Sequence, residues 1–209
     1  LAIERVPAVR PASLGIWVGP GSRHEKEEEG GAAHFIEHMV FKGTGRRSAQ
    51  QLAQEMDAIG GQVNAYTTKE HTCFYARSLD EHLDRAMDML CDMVFCSRFD
   101  EEDVATERGV ILEEIGMYED NPEDMCAERL MAGVYAGTPL GRPILGRRET
   151  LEKMTGAWLR DYMRAHYLPG DIVVALAGSF PPVIVEELKA RFSGLTGGKG
   201  PQPAPVSYV

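Results

Sequence analysis

Three ionisable residues fall within five positions of one short apolar stretch: His34, Glu37 and His38 in Gly30-Gly31-Ala32-Ala33-His34-Phe35-Ile36-Glu37-His38-Met39-Val40. On a helix, residues four apart lie one turn apart on the same face, so the two imidazoles could grip one metal ion. Zinc suits such a set best, because neutral imidazole and carboxylate satisfy a borderline cation. A catalytic zinc takes three protein ligands and leaves a fourth place for water. Glu37 would then be the free carboxylate that takes a proton from that water. The plainer alternative is a helix carrying surface histidines. Phe35, Ile36, Met39 and Val40 weigh against it, since ionisable groups embedded in an apolar helix need a partner.

Two histidines leave the site one protein ligand short, and the chain is rich in acids. The strongest candidates are Glu107 and Glu114, seven apart and therefore two helical turns apart on one face, among Val110, Ile111 and Ile115. Those neighbours would draw both carboxylates inward, where a cation offsets the cost of burying charge. Glu113 lies about 100° round the helix from Glu114 and should point elsewhere.

The elements that must position these groups can be read in order. Ser13 to Val18 alternates as a strand that ends at Gly19-Pro20-Gly21. Ser48-Ala49-Gln50-Gln51 has the form of a capping box, opening a helix with Leu52, Met56 and Ile59 on its inner side and Gly60-Gly61 at its end. Gln62 to Thr67 and His71 to Arg77 are rich in β-branched and aromatic residues and form an expected hairpin. Asp80 is expected to cap a helix through Leu83, Met87, Leu90 and Val94, and Asp100 to open the longer helix that carries Glu107 and Glu114. Asn121-Pro122 starts a fresh helix towards Tyr135, and Thr155 caps another that carries Trp158, Leu159 and Tyr162. Asp171 to Gly178 is nearly continuous in apolar residues, which predicts a strand buried on both faces. A last helix spans roughly Pro182 to Phe192. The mixture predicts an α+β fold, a mostly antiparallel sheet with helices packed on one side.

Bulk properties narrow the partners. A formal charge of −10 over 209 residues argues against nucleic acid, which needs a basic face. No apolar run reaches membrane-spanning length. The acidic clusters Glu25 to Glu29, Asp100 to Asp103 and Glu119 to Asp124 read as solvated faces and helix N-termini, with an acidic field that attracts basic peptides as the sharper alternative. Cys73, Cys91, Cys96 and Cys126 form no Cys-x-x-Cys pair and read as reduced thiols.

With these residues laid out, the sequence resembles the N-terminal catalytic domain of the pitrilysin/insulinase (M16) family of zinc peptidases, on the branch of the mitochondrial processing peptidase β-subunit and its bacterial relatives. His-x-x-Glu-His is the inverted zinc-peptidase motif. Further matches are Gly21-Ser22-Arg23-His24-Glu25, Phe41-Lys42-Gly43-Thr44, Asn64-Ala65-Tyr66-Thr67, Glu107-Arg108-Gly109-Val110-Ile111-Leu112-Glu113-Glu114 and Pro139-Leu140-Gly141-Arg142-Pro143-Ile144-Leu145-Gly146. The family's third ligand, about 76 residues past the second histidine, falls on Glu114, and its invariant glutamate seven residues earlier falls on Glu107.

The resemblance implies zinc held by His34, His38 and Glu114, with Glu107 orienting a ligand. Glu37 would take the proton of a water that attacks a peptide carbonyl and pass it to the leaving amine. It also implies that Asn64, Ala65 and Tyr66 bind an extended peptide along a sheet edge; ordinary hairpin packing is the alternative for Asn64 and Tyr66. Active relatives have a homologous second half, in the same chain or a partner subunit. The expected organisation is a catalytic domain over residues 1–193, with 194–209 beginning a Gly/Pro-rich linker towards such a half; the N-terminal strand looks truncated. A scaffold half that recognises substrate without cleaving it is the competing function, although such halves typically lose the residues kept here. The bacterial cytoplasm is the expected compartment, and the mitochondrial matrix also fits.

Overall fold

The computed structural model describes residues 1–195 and 197–200, so most of the expected linker, residue 196 and residues 201–209, lies outside the described residues. Five strands form one sheet: β1 (Ala2–Arg5), β2 (Pro11–Val18), β3 (Gln62–Thr67), β4 (Thr72–Leu79) and β5 (Ile172–Gly178). Their order across the sheet is β1-β5-β2-β4-β3. The hairpin is present, with Asn64 opposite Tyr75 and Tyr66 opposite Cys73, and it leaves β3 on the edge.

The sheet is mixed, not mostly antiparallel as expected. β5 inserts between β1 and β2, antiparallel to β2 and parallel to β1, with Ala2 opposite Ala175 and Arg5 opposite Gly178. The N-terminal strand, expected from the family resemblance as truncated, is the short β1; its pairing with β5, some 170 residues away, has no local turn signal in the sequence.

The expectation for β5 also fails. Its residues alternate between buried and open, and Val173 is 53% exposed. Helices cover one face of the sheet, where Leu14, Ile16, Phe74, Ala76 and Leu176 are buried. Small alanines and valines made the strand look apolar throughout, while only one face has a layer to pack against.

The helices are α1 (Ala32–Met39), α2 (Ala49–Ala58), α3 (Leu83–Cys96), α4 (Glu101–Asp120), α5 (Pro122–Val134), α6 (Arg148–Leu151), α7 (Gly156–His166) and α8 (Pro182–Ser193), with α1, α2 and α3 against the sheet. Their caps follow the local chemistry in part. Ser48 Oγ accepts from Gln51 N at 3.2 Å and Gln51 Oε1 from Ser48 N at 2.8 Å, a complete capping box. Asn121 and Thr155 also accept from backbone amides at the starts of α5 and α7. Asp80 does not cap α3, because a 3-10 turn over Asp80–His82 intervenes and the helix begins at Leu83. Asp80 instead accepts from Arg10 and from Glu81 N. Among the described residues no helix is long and apolar enough to cross a membrane, and all four cysteines are free.

Candidate metal centre

Helix α1 is buried on most of its surface through Ala32, Ala33, Phe35, Ile36 and Met39, packed between the sheet and α4. Its start is fixed by a residue that the sequence reading left in a solvated cluster. Glu25 is 3% exposed, and its two carboxylate oxygens accept from Gly31 N at 2.9 Å and Ala33 N at 2.8 Å. It therefore satisfies amides at the helix N-terminus, where negative charge is favoured. Burial pushes its pKa up to about 8, against those two amides and Arg142, which favour the ionised form. Gly31 has φ of 95°, and a Cβ there would stand 2.7 Å from the carbonyl oxygen of Leu145, so only glycine lets the 139–146 loop close over the helix start.

Helix α4 supplies the facing wall. Val104, Glu107 and Ile111 are buried at helical spacing, with Glu114 half-buried one turn further. The apolar stripe that carries the glutamates runs through Ile111 rather than Val110, which is 46% exposed. Glu113 is exposed. Arg108 locks this helix in place by donating to the carbonyls of Leu151 at 3.0 Å and Met154 at 2.7 Å.

His34, His38 and Glu114 converge. Glu114 Oε2 lies 3.7 Å from His34 Nε2 and 3.6 Å from His38 Nε2, and one potential ligand atom from each residue falls within 4.8 Å of the others. These separations are too long for good hydrogen bonds. They suit donors around a common centre: tetrahedral bonds of about 2.1 Å place ligand atoms about 3.4 Å apart. The donor set, two imidazoles and a carboxylate, is one that zinc accepts.

His34 is 7% exposed and its Nδ1 has no hydrogen-bond partner, while burial, with His38 adding to it, lowers its pKa to about 3. It is therefore a neutral imidazole, the form that binds metal. In the metal-free chain, NMR titration should leave the His34 ring shifts flat from pH 8 down to about 5, whereas an ordinary histidine is half-protonated near 6.5. Between about 6.5 and 3 the native state binds fewer protons than the unfolded chain, so this residue's contribution to stability is lost as pH falls through that window. A half-titration of His34 near 6.5 would contradict the burial.

Glu37 is half-buried beside this group. Burial raises its pKa, with Glu114 adding to the effect; hydrogen bonding to Thr67 and the charge of His38 oppose it. Its Oε2 is buried without a partner. Thr67 ends β3, so the sheet edge that carries Asn64, Ala65 and Tyr66 abuts the α1 carboxylate directly. Ala65 is buried, whereas Asn64 and Tyr66 are exposed, and Asn64 Oδ1 accepts from Ala65 N at 2.8 Å. Tyr66 packs against the rings of His71 and Tyr75. Glu107 is 4% exposed and accepts from His38 Nδ1 at 3.1 Å. The remaining acids stand apart from the cluster, and Lys42, which sequence reading left inside a motif without a role, joins it through Glu107 at 2.5 Å.

The uncharacterized zinc protease YmxG of Bacillus subtilis is 46% identical over 192 residues, covering 92% of this chain and 47% of that protein. The Arabidopsis thaliana protein named probable mitochondrial-processing peptidase subunit beta is 39% identical over 197 residues, covering 94% of this chain and 37% of that one. The chain thus spans about half or less of the length of these relatives. Among solved structures, a peptidase M16 inactive domain from Pseudomonas fluorescens superposes with a TM-score of 0.89 at 19% identity, over 98% of this chain and 50% of that one; this likeness is one of fold. The family model for Insulinase (Peptidase family M16) matches residues 1–148, which contain α1, the β3 edge and α4 with Glu107 and Glu114. On that match and these identities, the chain belongs to the insulinase family, peptidase family M16.

Proposed function

We propose that this chain is the metal-bearing half of a zinc endopeptidase that hydrolyses peptide bonds in extended peptides or presequences. The observation that carries the reading is the convergence of His34 Nε2, His38 Nε2 and Glu114 Oε2 beside Glu37, whose buried Oε2 has no partner. Zinc, when bound by these three residues, supplies a Lewis acid that acidifies water and polarises a peptide carbonyl. Glu37 accepts the proton of the attacking water and returns it to the departing amine; its raised pKa makes it a stronger base than an exposed glutamate. Glu107 holds His38 from behind, so that Nε2 faces the centre.

The position of β3 supports a way to hold substrate. As the edge strand it has, among the described residues, one side free for an added peptide strand, and its Thr67 end touches Glu37. Asn64, Ala65 and Tyr66 would then line the added strand. Because the chain spans about half of its relatives, a homologous second half is proposed to close over the peptide, and positioning by that half would carry much of the rate. Free cysteines and bacterial relatives support the bacterial cytoplasm as the compartment, with the mitochondrial matrix consistent with the Arabidopsis relative's name.

Elemental analysis of the purified chain tests the site. Stoichiometric zinc is expected in the native chain and in Glu113→Gln, and loss of most of it in Glu114→Gln. Peptide cleavage followed in the same samples, with and without the second half, is expected to rise when that half is present. Absence of zinc under metal-replete conditions would overturn the reading and leave a scaffold half in its place.

A further inference from the structure

Glu107 is held from two sides. Its Oε2 accepts from His38 Nδ1 at 3.1 Å, and its Oε1 pairs with Lys42 Nζ at 2.5 Å. Lys42 lies just past the end of α1, where its amide donates to Met39 O at 3.0 Å, and its side chain reaches back along the helix to the buried carboxylate. A carboxylate held by one hydrogen bond can swing about its last torsion, which is broad and roughly two-fold. A second anchor on the other oxygen removes that freedom.

We infer that Lys42 is a positioning residue for His38: by gripping Oε1 of Glu107 it aims Oε2 at the Nδ1 proton of the histidine, and so keeps the Nε2 lone pair turned towards His34 and Glu114. The inference rests on the zinc-site reading for its purpose, although its geometry stands without metal. Lys42 touches none of the three convergent ligand atoms and acts only through Glu107. A residue that merely neutralised a buried acid would support folding and leave the histidine's tautomer alone.

Lys42→Met, Lys42→Arg, Glu107→Gln and the Lys42→Met/Glu107→Gln pair are compared by chelator competition for zinc, thermal midpoint and long-range nitrogen-proton NMR of the metal-free chain. Lys42→Met is expected to weaken zinc binding by about tenfold, the lower end for loss of a group that orients a ligand. Lys42→Arg, which keeps the charge and donors, is expected to restore most of that loss. The pair is expected to bind zinc no more weakly than Glu107→Gln alone, because the two residues act in series. In the metal-free native chain at pH 8, His38 should be the Nδ1-protonated tautomer, and Lys42→Met should show both tautomers.

A lowered thermal midpoint with unchanged zinc affinity and tautomer would overturn the inference, as would losses that add in the pair. If the native chain takes up no zinc, the proposed function falls, and the tautomer measurement still decides the role of Lys42. Should Lys42→Met fail to fold, Lys42→Leu, which likewise removes the donor and the charge, is read in the same way.

Discussion

Glu37→Gln should lower peptide cleavage by about 10²–10⁴-fold in kcat, the range that general-base catalysis supplies, while zinc content stays stoichiometric. The two side chains have nearly the same shape, so α1 keeps its packing. Glutamine keeps a carbonyl oxygen that can accept from Thr67, and Glu37 Oε2 has no hydrogen-bond partner to lose, which makes the substitution mild for the fold. Glutamine cannot accept a proton at neutral pH. The expected signature is therefore a fall in kcat with KM little changed, because the lost interaction belongs to the reaction step and not to uniform binding. Intact zinc separates this result from that of Glu114→Gln, in which metal and cleavage fall together. Cleavage within tenfold of the native rate, in a sample with full zinc, would remove Glu37 from the role of base.

The legibility of this site followed the distance over which each signal acts. His34, Glu37 and His38 sit within one and a half turns of one helix, and helix geometry alone puts the histidines on one face. The choice of Glu114 over its neighbours needed either the family pattern or the fold, since nothing local says that α4 crosses α1. The stripe of Glu107 and Ile111 indicated burial, and the structure adds what is buried against it: His38 on one oxygen and Lys42 on the other. Glu25 was misread for a related reason. In a run of glutamates a charged side chain reads as solvated, yet its carboxylate turns back onto amides six and eight residues on. In the sheet, the β3-β4 hairpin was legible through its short link, whereas the parallel contact of β1 with β5 was not. The open outer face of β5 was hidden because alanine and valine satisfy both a buried and a half-open strand.

Asp92→Ala should destabilise the chain by about 3 kcal/mol, within reach of the 3–5 kcal/mol typical when one partner of a buried ion pair is removed. Asp92 is 2% exposed on α3 and accepts from Thr44 Oγ1 at 2.8 Å, Arg46 Nε at 3.0 Å and Arg47 Nη1 at 2.7 Å. Asp88, one turn earlier, also pairs with Arg46 and Arg47, so part of the arginine charge keeps a partner; this places the loss near the lower end. For a chain of this size the thermal midpoint should fall by about 6–12 °C. Burial works to raise the Asp92 pKa, but the hydrogen bonds from Arg47, Thr44 and Arg46 outweigh it and hold the carboxyl below its usual value. Its contribution is therefore present above the unfolded value of 3.8 and is lost as pH falls through the lower native value. Asp92→Asn keeps the volume and removes the charge, so its stability deficit should be clear at pH 7 and should shrink as pH drops below 4. A deficit that stays constant with pH would mean that Asp92 acts through packing alone.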